Sequence, residues 1–392
     1  LKTILIILDN EYNPDPRVQK HVNCLLNDLE CEVHLVCTKT NKIIEDQNHD
    51  RLSIYRILDQ EKLFQYYKNR FEEEIERVAN IISKNKIKHI LANDHACLEF
   101  SVKLKRKYEH INIIYDAHEF IIGWPYYQYE KKWFNYLKGA LVHKIFCFKE
   151  KTNIKQTSFL ITVSEGLKKE YLKLFPKIKS QVIRNIPPTF QNNQTSTIDY
   201  REKIGINKHQ KILIHSGNLY YKDYILDYLL NSISSFKKNW KILFLIKDTD
   251  RHRITTNPIY KKCSEKILFH EFVPYTELKN LLSIGTAGLI LNYKPEWKSH
   301  WYSLPNRIFD YIHADLPVLS TQQPEFEKIV HTYDIGITFN IKKDIKTLTN
   351  GFEKIIVDQE FYRKKLEVAR KEVTWENEKE KFMQIIKSIN NE

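Results

Sequence analysis

Short apolar runs alternate with longer amphipathic ones along most of the chain. Near the N-terminus KTILIIL predicts a buried strand, and DPRVQKHVNCLLNDL after it carries helical periodicity through Val18, Val22, Leu25, Leu26 and Leu29. CEVHLVCT is the next strand, so the chain opens as a βαβ unit of a parallel doubly wound sheet. SIYRIL, a helical stretch over about 64–83, HILAND, INIIYDAHEF, FLITVSEGLKKEYLKLFP with Ser164 as N-cap, and QVIRNIPP continue the alternation. Between Pro187 and Gln210 the periodicity lapses into Asn, Gln, Thr and Ser, which marks a linker. The pattern then restarts with KILIHSGNL, a helix from Asp223, WKILFLIK, KILFHEFVP, a helix from Tyr275, TAGLILNY, LPVLS and a strand near Gly336. The expected division is 1–187, a linker at 188–209, 210–374, and a C-terminal helix at 375–392 that packs back on the first half. Two α/β halves of this kind are expected to face a central cleft.

Chemistry is expected where parallel strands end. INIIYDAHEF stops abruptly in Asp116, His118 and Glu119, and a histidine there can donate to a substrate hydroxyl or shuttle a proton, or be structural. DNEYNPDPRV after the first strand offers Asp15 and Arg17 as ligand contacts, although Asp15 before Pro16 is equally a helix start. In SLPNRIFDYIHADLPVLS, Ser303 reads as an N-cap with Pro305 in the first helical turn, and Ile308, Tyr311 and Ile312 as the buried face. That leaves Asn306, Arg307 and Asp310 facing elsewhere. An anion can sit at such a helix start, and Asp310 can accept hydrogen bonds from sugar hydroxyls. A surface turn with an Arg–Asp pair is the alternative.

Composition narrows the classes. The 392 residues suffice for two domains, and 42% apolar with 28% charged residues is globular. No apolar run approaches the roughly 18 residues of a membrane span, and Asp9 follows the first strand too soon for a signal peptide, so a cytoplasmic location is expected. The six cysteines show no CxxC pair and read as buried free thiols. The net charge of +13 comes without zinc-finger spacing, an RNP-like motif or a dense arginine block, so no nucleic-acid partner is expected. With only 9 glycines, a phosphate site here cannot be a glycine-rich loop. Trp124, Tyr126, Tyr127, Tyr129, Trp133, Phe134 and Tyr136 interleave with lysines; this is either an ordinary core helix or a segment lying on an anionic membrane surface.

DPRVQKHV, IIYDAHEF, FLITVSEGLKKEY, VIRNIP, HSGNLYYKDY and SLPNRIFDYIHADLPVLS, in this order, resemble the GT-B glycosyltransferases, specifically the family 4-like group (glycosyl transferases group 1). The resemblance implies a GT-B fold of two Rossmann-like domains, the first binding acceptor and the second binding nucleotide sugar. It implies retention at the anomeric carbon, no metal ion and no cofactor, with a UDP- or GDP-linked donor as substrate. By this resemblance Asp310 matches the second carboxylate of a Glu-x7-Glu motif, whose first position is occupied by Tyr302. Ser303, Asn306 and Arg307 would help hold the diphosphate, with Leu304 among the donor-binding residues. Lys222 matches a basic residue on the donor phosphates, Asn218 stands where an arginine is common, and His118 matches a histidine touching the donor sugar. The turn containing Phe272, Val273 and Tyr275 corresponds to a backbone contact with the nucleobase. The expected activity is transfer to a lipid-linked or polysaccharide acceptor in bacterial surface-glycan synthesis, peripheral to the cytoplasmic membrane. A GT-B-fold sugar-nucleotide epimerase and a non-catalytic nucleotide-sugar-binding partner are the alternatives.

Overall fold

The computed structural model describes residues 2–40, 49–59, 71–124, 133–187, 198–219 and 222–389. Side chains of 133–138 fall outside the described set, as does most of the aromatic segment beginning at Trp124. The chain forms two compact units: Leu1–Asn185 with Glu296–Ser303 and Glu378–Glu392, and Ile186–Pro295 with Leu304–Asn377.

The first unit is built on β1 (Thr3–Ile7), β2 (Glu32–Thr38), β3 (Leu52–Leu58), β4 (His89–Asn93), β5 (Asn112–Ala117), β6 (Phe159–Thr162) and β7 (Ser180–Val182). Their order is β3-β2-β1-β4-β5-β6-β7, all parallel. Leu5 pairs with His34 on one side and Ile90 on the other, so β1 is central. Because parallel sheets are covered on both faces, β1 is apolar throughout: Leu5 and Ile7 join one core with Ile90, Ile113 and Leu160, while Ile4 and Ile6 on the other face are equally buried. Strand order reverses between β1 and β4, which puts the carboxyl ends of β1, β4 and β5 around one crevice.

Helix Pro16–Asn23 begins as its sequence dictates, with Asp15 accepting from the Val18 N–H and Pro16 at N1, and continues as a π-helical turn, Cys24–Asp28. The C-terminal helix Trp375–Ile389 stacks the Phe382 ring on His21 at 4.2 Å and 6°, and Glu378 receives both the Nε–H and the backbone N–H of Arg184.

The second unit carries β8 (Lys211–Ser216), β9 (Trp240–Leu245), β10 (Ile267–His270), β11 (Ala287–Ile290), β12 (Val318–Thr321) and β13 (Gly336–Phe339). Their order is β10-β9-β8-β11-β12-β13, again parallel, with the switch between β8 and β11. Period-two alternation fills both faces: Ile212, Ile214 and Val318 enter one core, Leu213, Leu289 and Leu319 the other. Helix Arg307–His313 docks through Tyr311, whose ring lies over Gly288 so closely that a Cβ there would come within 2.4 Å of it.

Three expectations change. Part of the linker is ordered, because Asp199 caps helix Tyr200–Ile204, Gly205 ends it at φ +74°, and Tyr200 is buried in the second core; 188–197 lie outside the described residues. Glu296–Ser303, expected in the second domain, belongs to the first unit: Ser299 Oγ accepts from the Phe120 N–H, Lys298 pairs with Glu170, and Ser164 Oγ donates to the Tyr302 carbonyl at 2.6 Å. Ser303 is not the N-cap of the following helix. That position is Asn306, and the Ser303 hydroxyl donates to the His300 carbonyl of the preceding turn.

Candidate functional site

In the first unit, the ends of β4 and β5 converge on one imidazole. His118 Nδ1 lies 3.0 Å from Asp94 Oδ2, Nε2 lies 3.4 Å from Asp116 Oδ2, and the His118 N–H donates to Asp94 Oδ1 at 3.1 Å. Both ring nitrogens therefore face carboxylates, Nε2 without closing a hydrogen bond, and two negative charges around the ring favour imidazolium. Burial opposes the charge, but Asp94 and Asp116 outweigh it and raise the ring pKa well above its ordinary value. Burial likewise opposes ionisation of Asp116, and Arg17 and His118 overcome it, holding that carboxyl far below its usual range. Asp94 is depressed in the same way by His118. It holds a left-handed backbone conformation at φ +63°, a strain of the kind found where geometry is fixed for function.

Arg17 and Asp116 form a bidentate pair, Nε to Oδ2 at 2.9 Å and Nη2 to Oδ1 at 2.7 Å, and Arg17 Nη1 donates to the Ile183 carbonyl at 3.0 Å. They are 3% and 0% exposed, so neither is the ligand contact expected; they brace His118, which is 24% exposed and within a ligand's reach. Asp15 is occupied as the helix cap and accepts from Asn10 Nδ2. Glu119 is pushed up to about 7 by burial and then by Asp94, and Asp9 to about 7 for the same two reasons. Beneath the loop, Glu150 accepts from the Tyr171 hydroxyl at 2.6 Å and the Ile122 N–H at 2.9 Å, fixing the turn Ile121–Gly123.

In the second unit, the guanidinium of Arg307 lies over the end of β8. Its Nη1 donates to His215 Nε2 at 3.2 Å and its Nη2 to the Asn218 carbonyl at 3.4 Å. Burial, then Arg307, keeps His215 neutral with its pKa well below the ordinary value, as an acceptor Nε2 requires. Gly217 at φ +97° passes beneath, where a Cβ would sit 2.8 Å from Nη2. One turn along, Asp310 accepts from the Tyr275 hydroxyl, and burial pushes its carboxyl up to about 7. Asp310 Oδ1 is buried without a hydrogen-bond partner among the described residues.

Phe272 and Tyr275 are exposed, Tyr275 bonded to this carboxylate, whereas Val273 packs against the core and Leu304 is buried in it, so those two side chains serve as support. Asn306 is exposed at the helix start, and Lys222 is exposed at the start of helix Asp223–Ser234. Ser303 sits in the first unit, bound to His300, and Tyr302 packs against the first core.

A family model described as "Glycosyl transferases group 1" matches residues 196–372. This segment is similar to the group 1 glycosyl transferases. No curated protein matches the chain in sequence. Among solved structures, sucrose-phosphate synthase from Thermosynechococcus elongatus is similar at 13% identity and TM-score 0.75, with 100% of each chain covered. An α,α-trehalose-phosphate synthase (UDP-forming) from Burkholderia xenovorans, in complex with glucose-6-phosphate, gives 10% and 0.68, covering 99% of this chain and 100% of that one. Anabaena HepE in complex with UDP gives 10% and 0.67 with the same coverage. These likenesses show the fold: with its two parallel sheets the protein has the two-domain, Rossmann-like architecture of the GT-B type. The matched segment contains Arg307, Asp310 and Tyr275, while His118 lies ahead of it. Sequence reasoning missed Asp94, Asp9 and His215. Asp94 and Asp9 carried a usable signal, each following a buried strand as Asp116 ends one; His215 is the sole polar residue inside the apolar run of β8 and carried none.

Proposed function

We propose that the protein is a retaining, metal-independent glycosyltransferase that moves a sugar from a nucleotide-sugar donor to a lipid-linked or polysaccharide acceptor in bacterial surface-glycan synthesis, at the inner face of the cytoplasmic membrane. The observation that carries this reading is the Arg307 guanidinium laid across Gly217 at the carboxyl end of β8, with a partnerless Asp310 oxygen one turn away. A cation fixed by His215 and the Asn218 carbonyl suits a diphosphate, and a carboxylate acceptor suits ribose hydroxyls. The exposed 272–275 turn adjoins that carboxylate as a nucleobase contact would. HepE in complex with UDP makes a uridine nucleotide the first donor to test and a guanosine nucleotide the second.

Breaking the bond from anomeric carbon to diphosphate places positive charge on the sugar and negative charge on the departing oxygen. Arg307 and Lys222 offset the latter. The acceptor oxygen bonds to the anomeric carbon on the face the diphosphate leaves, and the acceptor's proton passes to the leaving phosphate oxygen, so no side chain is assigned as base. His118, held as imidazolium between Asp94 and Asp116, is the first unit's candidate ligand contact.

A thermal-shift screen over UDP, GDP, ADP and CMP and their sugars tests the reading, since ligand bound only by the native state raises its apparent stability. A UDP or GDP series that raises the melting temperature, followed by transfer to an acceptor extract, is the expected result. A flat response to every nucleotide overturns it. Turnover of the nucleotide sugar without acceptor would point to an epimerase, and saturable binding without transfer or hydrolysis to a non-catalytic binder.

A further inference from the structure

In the first unit, helix Trp133–Asn153 and the turn Ile154–Gln156 carry a stripe that the chemistry above does not use. Residues 141, 144, 148, 151 and 155 follow one another at spacings of three and four, so they share one helical face, and all five are exposed. They alternate in kind: Leu141 (61% exposed), Lys144, Phe148 (68%), Lys151 and Lys155. The stripe ends at a pocket of about 380 Å³ lined by Ile154, Lys155, Thr157, Phe175, Lys177 and Ile178, with Leu174 (44% exposed) next to it in sequence. That volume lies within the usual range for ligand sites.

The charge of this surface is one-sided. Lys144, Lys151, Lys155 and Lys177 make no ion pair among the described residues, whereas Lys149 and Lys173 are paired with Glu99 and Glu170. The acidic side chains nearest in sequence are committed elsewhere: Glu150 inward to Tyr171, Tyr115 and the Ile122 N–H, and Glu170 to Lys173 and Lys298. Exposed large apolar side chains interleaved with unpaired lysines match an acyl boundary overlaid by anionic headgroups, where rings enter the apolar layer and ammonium groups stay at its edge. An acidic protein partner would satisfy the lysines but leave Leu141, Phe148 and the pocket unexplained.

We propose that this stripe docks the protein on an anionic lipid bilayer, with one lipid acyl chain entering the pocket between Ile154 and Ile178. The proposal deepens the membrane part of the reading above and rests on that part alone, so it stands or falls separately from the donor chemistry.

The test is co-sedimentation of the full chain with vesicles of phosphatidylcholine alone and with about one third phosphatidylglycerol. Binding is expected only to the anionic vesicles and is expected to weaken with salt. Each lysine near such a surface contributes roughly fivefold to partitioning, so Lys151→Gln/Lys155→Gln is expected to weaken it by about 25-fold. Phe148→Ser, a change at an exposed position, is expected to weaken it at least tenfold, and Thr157→Phe, which fills the pocket without altering charge, at least threefold. Absence of binding by the unaltered chain, equal binding to neutral vesicles, or undiminished binding by Phe148→Ser and the lysine variant overturns the proposal. A nucleotide thermal shift on the same samples reports folding and the donor site independently: a normal shift with no vesicle binding sinks the docking surface alone, and vesicle binding without any nucleotide shift sinks the donor reading alone.

Discussion

Asp94 holds His118 with both carboxylate oxygens, Oδ2 at 3.0 Å from ring Nδ1 and Oδ1 accepting at 3.1 Å from the histidine's own N–H. One carboxylate thereby fixes the backbone, the ring orientation and the charge of the same residue. Because the folded-state pKa of His118 is raised, the charged ring contributes stability that is fully present below its unfolded pKa and is lost as pH rises through the folded value.

Asp94→Asn removes that charge while keeping its shape. The imidazole proton, followed by NMR, is expected to be lost at lower pH than in the unaltered chain, and transfer is expected to fall by about 10²-fold, in line with a positioned proton donor. A variant titrating like the parent would refute the pairing.

Arg307→Ala and Lys222→Ala test leaving-group stabilisation. Each is expected to lower kcat by about 10²–10³-fold with an identified donor, the magnitude seen when one preorganised donor is removed. Near-native kcat in both would show that the charge on the departing phosphate is met elsewhere.

Gly217→Ala is expected to act at a distance from any ligand. A residue with a side chain is strained at φ +97°, and the new Cβ meets Arg307 Nη2 at 2.8 Å, so the guanidinium must move. Denaturant melts are expected to show a loss of about 1–3 kcal/mol. Nucleotide affinity is expected to fall in the same variant, and retention of both properties would mean that the loop and Arg307 shift freely.

Asp310 links pH to both stability and binding. Its folded pKa of about 7 lies above the ordinary 3.8, so the unfolded chain loses this proton first, and stability falls as pH rises from about 4 to about 7. Asp9 and Glu119, also at about 7, act in the same direction. Asp310→Asn is expected to flatten part of that decline. Tyr275→Phe removes the hydrogen bond that favours the carboxylate, so nucleotide binding is expected to need a higher pH to reach its maximum. Calorimetric titrations at pH 6, 7 and 8 distinguish a shifted profile from a uniform loss.

The sheets were legible because a strand buried on both faces must be apolar at nearly every position, as residues 4–7 are, and short runs of that kind leave little choice of element. His118 and Asp116 were legible because their charges interrupt such a run at its end. Asp94 carries the same mark at the end of a buried strand but is easily passed over, since Asn-Asp before a helix also reads locally as a cap; its partnership with His118 appears only when β4 and β5 lie side by side. Ser303 was misread for the converse reason: its residue type suits a cap, but its hydroxyl is bound to the His300 carbonyl and the helix starts at Asn306 with no side-chain cap. No local pattern marks Glu296–Ser303 as part of the first unit. Its short helix is held by single hydrogen bonds to Phe120 and Ser164, contacts far away in sequence.

That excursion, with the C-terminal helix, means the first unit is assembled from three stretches of chain. A fragment ended at 187 would lack the phenyl ring that covers His21, the carboxylate that receives Arg184, and the hydroxyl that holds the Phe120 N–H just beyond His118. The first unit therefore cannot be exchanged between relatives as a cassette by a single crossover in the linker. A working chimera must carry three matched segments, and any change at residues 296–303 or 378–389 bears on the surroundings of His118 even though it falls late in the gene.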